Sequence, residues 1–444
     1  MVLCLCGVFG QYHRVVCSYV DHKYQRSAGC NNCCLGNMPG FMKYLKFFFP
    51  FLLFLCLSSC ISKGEKSKSD ESTLILNLRG QNTDSTVYLS EYFSDVTPIV
   101  LETAEECLIG NCYSAEFYDG RFFILDAMVA KALFVFNKSG YYIGRFGQIG
   151  QGPGEYRSVV DFTIDTEKNE IYLLDSESRK INIYDMESRA YIRSLSLHDD
   201  DIYVSDILFN GGKLYANVHY FKGDIPNFPL RKIHPITGEM SKLWKNAEEF
   251  NCGWNEFVLK NESFFYCKQQ KEAKYTHFFT NTVYSIHEGA IVPCFTLETD
   301  DWISCDEIDR IASEYSNSEV CSVLFGREKA YNIHEYLEWD NYVFFKYEKN
   351  GKNIDVIYDK RTEKIKATAH LADNFLFDDL ELPVQRKIGS DANGVYMMIN
   401  TRSIPFFCDL LDNYSVNRKF LRILQHKKIH EESNPILLYY HKKG

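Results

Sequence analysis

The sequence predicts an all-β fold: a six-bladed β-propeller with a small helical insertion near 301–335. The first observation is composition. Among 444 residues, 15% are aromatic, with 30 Tyr and 33 Phe, while only 11 are Pro; Tyr, Phe and β-branched side chains favour pleated, half-buried surfaces. The second is a recurrence of short apolar runs behind polar turns. The third is its period of about 40–50 residues, which in a β-rich chain signals a propeller blade. Hydrophobic and charged fractions of 45% and 24% are those of a globular protein, which excludes wholesale disorder and a multi-span membrane protein.

The runs come in order. Arg121–Asp126 (RFFILD) is the first, and Glu170–Asp175 (EIYLLD) follows 49 residues later, counted from Phe122 to Ile171. Lys213–Asn217, Ser263–Cys267, Asn341–Lys346 and Gly394–Met398 continue the series. Each follows a polar turn, such as Tyr118-Asp119-Gly120 or Asn210-Gly211-Gly212, of the kind that joins antiparallel strands. A second strand often follows, as in ALFVFN (132–137), INIYD (181–185), NTVYSI (281–286) and IDVIYD (354–358). Further strands are expected at 141–146 and 190–197. The fourth and fifth runs stand 78 residues apart, from Phe264 to Tyr342. Within that gap, DEIDRIASEY (306–315) places Ile308, Ile311 and Ala312 on one helix face, so an inserted helix or lid is expected. Pro98–Leu101 and Pro435–Tyr440 read as first and last strands. Pairing both in one blade would close the ring and remove exposed sheet edges.

The front of the chain reads as an address. Met42-Lys43-Tyr44-Leu45-Lys46 is a short basic start, and Phe47–Leu57 is an eleven-residue apolar run. That run is shorter than the roughly 20 residues of a membrane-spanning helix and suits a signal h-region. Leu57-Ser58-Ser59-Cys60 follows. The segment resembles a bacterial lipoprotein signal peptide with its lipobox, and the resemblance implies lipidation of Cys60. Four segments are therefore expected: an upstream extension over 1–41, with translation starting at Met42; the signal peptide over 42–60; a Ser/Lys-rich tether over 61–72; and the propeller over 73–444.

Charge limits the partners. The net charge is −10. Residues 61–444 hold 44 basic and 58 acidic residues, a balance of −14. A field of that sign repels phosphate backbones, so nucleic acid is not an expected partner. The expected partners are the membrane, through the lipid anchor, and a protein or carbohydrate of unassigned identity.

The motifs carry little chemistry. GCNNCC (29–34) lacks a second ligand pair for zinc. Cys107, Cys112, Cys252, Cys267, Cys294, Cys305, Cys321 and Cys408 have no repeated spacing and read as small buried hydrophobes; one or two disulfides remain open, Cys107 and Cys112 being nearest in sequence. Asp126 and Asp175 end strands at matching positions, which favours turn capping by the carboxylate. His198-Asp199-Asp200-Asp201 reads as a solvated loop. His426 and His430 would share a face on a helix, yet Lys427 and Lys428 repel a cation. Aromatic loops at 251–255 and 220–228 suit either stacking on a sugar or peptide, or blade packing. No catalytic, cofactor or metal residue is assigned, and no cofactor is expected.

GRFGQIGQGPGEYRSVVDFTID (144–165) is the most distinctive stretch. Gly147, Gly150, Gly152 and Gly154 around Pro153 allow positive φ and close backbone approach. No Lys-Ser/Thr follows, so a phosphate loop is not expected. With IYLLDSESRKINIYD (171–185), the stretch resembles the NHL repeat, and further the six-bladed propeller lipoproteins of bacterial envelopes. The resemblance spans roughly 95–443 and is strongest over 115–197. It implies a non-catalytic binding or scaffold protein, lipid-anchored to the outer membrane on its periplasmic or surface side. The alternative is a secreted glycan- or peptide-processing lyase or hydrolase, with its site at the channel mouth and 301–335 as lid. A weaker third reading is a sensor or partner subunit of a membrane complex. Three or more polar side chains meeting at the mouth, with perturbed pKa values, would favour the enzyme.

Overall fold

The computed structural model describes residues 73–443, apart from 199–201, 221–228, 245–261, 268–271, 288, 316–318, 320–321, 325, 378–379, 381 and 384–385. The expected extension, signal peptide, Cys60 and tether fall outside the described residues. So do 251–255, most of 220–228, and Asp199 to Asp201.

Six antiparallel sheets form six blades. Blade 1 runs Ser114–Tyr118, Arg121–Asp126, Ala132–Asn137 and Tyr142–Phe146, from first strand to fourth. Blade 2 spans 159–196, blade 3 202–244, blade 4 264–298 and blade 5 330–368. Blade 6 takes its first three strands from 386–442 and its outermost from Phe93–Val100. That last strand pairs antiparallel with Ile436–Lys442, with Val100 opposite Ile436, so the two ends of the fold close one blade as expected.

Each apolar face of a blade is buried against its neighbour, and six hydrophobic seams result. Phe123, Leu125, Phe162 and Ile171 share the seam between blades 1 and 2. Tyr172, Ile181, Ile207 and Phe209 join blades 2 and 3, and Tyr215, Leu230, Tyr275 and Ile286 join blades 3 and 4. Val283, Phe295, Phe345 and Val356 form the next seam. Trp339, Phe344, Val395 and Leu438 lie in the fifth, and Phe122, Phe134, Tyr396 and Leu437 complete the circle. The first strands touch one another from blade 2 round through blade 6 to blade 1, so they surround the axis.

One expected equivalence does not hold. Ser263–Cys267 was matched in spacing to Arg121–Asp126, the second strand of its blade. Instead, Phe264–Cys267 is the first strand of blade 4, and Glu272–Tyr275 is the second. That second strand is four residues long and carries a buried Lys274, so its apolar signal is weak and its neighbour stands out.

The expected insertion is a helix, α1 (Cys305–Glu314). The Ser304 hydroxyl accepts the Glu307 N–H at 3.3 Å, satisfying a free donor of the first turn. Ile308 and Ile311 are fully buried with Phe279, Ile303, Leu324 and Tyr331. Two further helices, α2 (Ile404–Asn413) and α3 (Arg418–Lys427), lie between the second and third strands of blade 6. The blade repeat predicts a strand there instead. Their signal was Ile404, Phe407 and Leu410 at three-residue spacing, with Pro405 in the first turn; these residues pack with Phe420 and Leu424 on the blade 6 core. The segment before blade 6's outer strand is also ordered. Leu74–Asn77 adds a parallel fifth strand to blade 4, and Thr86–Tyr88 pairs with His370–Asp373.

Candidate functional site at the propeller axis

In these blades the second-to-third turn, the fourth-strand end and the lead-in to the next first strand all lie at one end of the ring. This follows from antiparallel alternation of four strands. Buried carboxylates pin that end. Both oxygens of Asp126 accept backbone N–H bonds, from Gly110 and Asn111 on one side and Met128 and Val129 on the other, at 2.8–3.0 Å. Asp175 repeats this in blade 2, accepting from Arg157, Ser158 and Ser178 at 3.0–3.2 Å. The expected capping role is therefore present, and it joins each blade's turn to its own lead-in.

The glycine stretch joins blade 1 to blade 2. Gly154 has φ +73°, and a Cβ there would fall 2.7 Å from the Tyr191 Cβ. The Gly154 carbonyl accepts the Tyr184 hydroxyl at 2.8 Å. The Glu155 carboxylate turns back into the loop, accepting from Gly152 N at 2.8 Å and Gln148 Nε2 at 2.7 Å. This is inter-blade structure, as the sequence suggested.

Charged side chains converge inside the ring of first strands. Arg386 opens the first strand of blade 6. Its guanidinium donates to the Tyr113 carbonyl at 2.7 Å, just before blade 1, and to the Glu262 carboxylate, just before blade 4. Blades 1 and 4 stand opposite each other in a ring of six. A group bonded to both must lie across the axis.

The remaining blades add to it. Asp161 sits on the first strand of blade 2 and accepts the Ile207 N–H of blade 3 at 2.8 Å. Asp206, on the first strand of blade 3, accepts from Ser205 Oγ at 2.7 Å and Asn217 Nδ2 at 3.4 Å. The Asn217 carbonyl oxygen in turn accepts the Tyr275 hydroxyl of blade 4 at 2.9 Å. In blade 5, two register shifts interrupt the first strand, with Asn332 and Glu335 at φ +58° and +47°. Bulges of this kind re-aim side chains, and strain of this kind gathers at functional sites. Here it directs Glu335 onto Lys346 at 2.9 Å and Lys387 at 4.0 Å, while Lys387 reaches Asp355 at 3.3 Å.

The electrostatics divide the site. Burial opposes the charge on Glu335, but Lys346 and Lys387 hold its carboxyl far below the usual range. Burial likewise opposes Arg386, yet Glu262 keeps the guanidinium firmly protonated. Asp161 and Asp206 are shifted the other way. Burial, with the Asp206 charge added, pushes Asp161 well up. Burial also lifts Asp206 to about 7, against the pull of Ser205 and Asn217 and with Glu262 adding to the rise. One wall of the axis is thus neutralised by ion pairs, and the other holds two carboxyls raised by burial. Such a wall can hold a proton near neutral pH, donate and accept hydrogen bonds, or receive a ligand's cationic or hydroxyl group.

None of these axial residues was singled out in the sequence, because they come from six places along 113–387 with no local motif. The only local trace was Asp161 inside the distinctive 144–165 stretch. The sequence-level candidates lie elsewhere. His426 is at the C-terminal end of α3 and His430 lies beyond the helix, its Nδ1 accepting the Glu432 N–H at 3.3 Å. The pair therefore shares no helix face. The described residues contain no group of three or more His, Cys, Asp or Glu able to hold a metal. Cys107, Cys112, Cys267, Cys294 and Cys408 are free thiols, so Cys107 and Cys112 do not pair. Cys252 and Cys321 are outside the described residues. No described helix is long and apolar enough to cross a membrane.

Among solved structures, the chain is similar to a Bacteroides fragilis protein described as a "putative exported protein", with 21% identity, TM-score 0.67, and coverage of 83% of this chain and 100% of that one. It also matches a member of the DUF4221 family from Bacteroides vulgatus, with 9% identity, TM-score 0.49, and 79% and 97% coverage. No curated protein matches. The six-bladed architecture and a family model matched over residues 74–441 agree on the extent of the fold, and the chain belongs to DUF4934, a domain family of unknown function.

Proposed function

We propose that this chain is an envelope lipoprotein, lipid-anchored to the outer membrane through Cys60, whose propeller binds a ligand at its axis without turning it over. The observation that carries the binding role is the convergence of charged side chains of blades 2, 3, 5 and 6, with Glu262 before blade 4, around Arg386, which also bonds the Tyr113 carbonyl before blade 1. Buried charges do not stabilise a fold in proportion to their number, and a propeller's seams need none of them. An address at 42–60 and the resemblance to a Bacteroides fragilis protein described as a "putative exported protein" support the envelope location.

The test screens glycan and peptide fragments by thermal shift against the full chain and the Asp161→Asn/Asp206→Asn double variant. A fragment that raises the midpoint of the full chain and not of the variant supports an axial ligand site. Fragments acting equally on both would refute it. Mass spectrometry of the envelope-derived protein reads the anchor: a diacylated N-terminal Cys60 is expected, and an unmodified residue would overturn that part.

The lifted Asp206 favours a second reading, an acid–base enzyme acting on glycans or peptides, because a carboxyl near 7 suits proton transfer at neutral pH. Turnover of a bound fragment, lost in Asp206→Asn while binding persists, would establish it.

A further inference from the structure

A shallow polar depression lies away from the axis, at blade 2. It is open to solvent, holds about 270 Å³ and is lined by Gln151, Arg157, Ser178 and Lys180. Both of its walls are fixed. The lead-in wall hangs from Asp175 through the N–H groups of Arg157 and Ser158, and the turn wall hangs from the same carboxylate through Ser178 N. Lys180 Nζ and Asn182 Nδ2 donate to the Glu155 carbonyl at 2.8 and 3.0 Å, tying the glycine loop to blade 2.

The charges in the recess are open to a ligand. Lys180 donates to the Glu155 carbonyl, and its charge also acts on the Glu155 carboxylate without a direct bond. Arg157 meets only Glu177, at 3.9 Å, with both side chains about half exposed, and such pairs contribute little and yield readily. The loop's own Glu155 carboxylate is occupied by Gly152 and Gln148. Two cations beside an amide and a hydroxyl match an oxyanion carried on a hydroxyl-rich scaffold: the guanidinium fork suits a planar carboxylate, and Gln151 and Ser178 suit sugar hydroxyls. The volume is just below the roughly 300 Å³ of the smallest ordinary ligand sites, enough for one sugar unit and not for a large molecule.

We propose that Arg157, Lys180, Gln151 and Ser178 form a binding subsite for an acidic sugar, gripping its carboxylate between the two cations. This goes beyond the axial reading and does not depend on it.

Isothermal titration of D-glucuronate into the full chain tests it, with glucose and inorganic sulfate as comparison probes. Glucuronate is expected to bind at least tenfold more tightly than either. Arg157→Gln and Lys180→Gln should each weaken it about tenfold, the value of one charge-assisted hydrogen bond. Glu177→Gln should leave it unchanged or tighten it, and Asp206→Asn should leave it unchanged, which separates this site from the axis. Circular dichroism of Arg157→Gln checks folding; that side chain is largely solvent-facing and its backbone contact to Asp175 is retained. No glucuronate binding, equal binding of glucose, or full affinity in Arg157→Gln would overturn the subsite. Equal binding of sulfate would overturn the assignment to a sugar.

Discussion

Blades 2 and 5 are built on the same four-strand plan but use buried charge in opposite ways. In blade 2, acids serve the backbone: Asp165 accepts from Glu167 and Lys168 N–H groups at 3.0–3.1 Å, and Asp175 from three others. In blade 5, Glu335 and Asp355 face Lys346 and Lys387, and the strand that carries Glu335 is bulged twice to present it. Pinning a turn is what any blade needs. Aiming a carboxylate at buried lysines is not, and it marks the region where the fold was shaped around something besides its own stability. Asp161 shows both uses in one residue, since it bonds the next blade's backbone while facing a second carboxyl.

The largest effect is expected where a buried pair is broken. Lys346→Met leaves Glu335 short of a close cation and should lose about 3–5 kcal/mol of stability, read as a lower urea midpoint at unchanged m-value. Adding Glu335→Leu should recover most of that loss. If the double variant is as unstable as the single one, the two residues do not act as a pair. In blade 2, Asp175→Ala should lose about 1–3 kcal/mol, because three part-buried N–H donors lose their buried acceptor, and Asp175→Asn should lose less. An equal loss in both variants would show that packing, not acceptance, is what Asp175 supplies.

The pH response sharpens the contrast further. Asp206 is protonated in the folded chain up to about 7, against a usual value of 3.8. The unfolded chain gives up that proton first, so stability is full below about 4 and is lost as pH rises towards 7. Each proton so linked contributes a slope of about 1.4 kcal/mol per pH unit, or roughly 2 kcal/mol between pH 5 and 7. Glu335 acts in the other direction, but its contribution is lost only as pH falls below the ordinary carboxyl value of 4.5, outside that window. Denaturation curves at pH 5, 6 and 7 should show the decline in the wild type and a shallower one in Asp206→Asn, with Asp161 supplying the remainder; parallel behaviour of the two would exclude Asp206 as a source. Gly154→Ala should lose about 1–3 kcal/mol from its positive φ and the approach of Tyr191. Smallest of all, Glu177→Gln should change stability by less than about 0.5 kcal/mol, as an exposed pair does.

What was legible in the sequence follows the same division. The hairpins of blades 1 and 2 are local, so runs such as Arg121–Asp126 and Glu170–Asp175 stand out by turn and period. Ring closure was also legible, because Pro98–Leu101 and Pro435–Tyr440 were strands without partners. Blade 4 was misaligned because the chain places a short strand with a buried Lys274 where the pattern leads one to expect an apolar run. The axial site was legible only through Asp161 within the 144–165 stretch. Arg386 and Glu262 are 124 residues apart, and only closing the ring brings them together. The helices α2 and α3 were missed for a local reason: they interrupt a blade after its second strand, where the repeat predicts another strand.

The claim that matters most is that Asp161 and Asp206 are kept at the axis for a ligand and not for the fold. The urea midpoint of Asp161→Asn/Asp206→Asn at pH 7.5, without ligand, tests it most directly. Removing two carboxyls whose charge is opposed by burial should raise the midpoint above that of the wild type, as happens when a functional site is traded for stability. A midpoint lowered as far as that of Asp175→Ala would show that these carboxyls hold the propeller together, and would contradict the account.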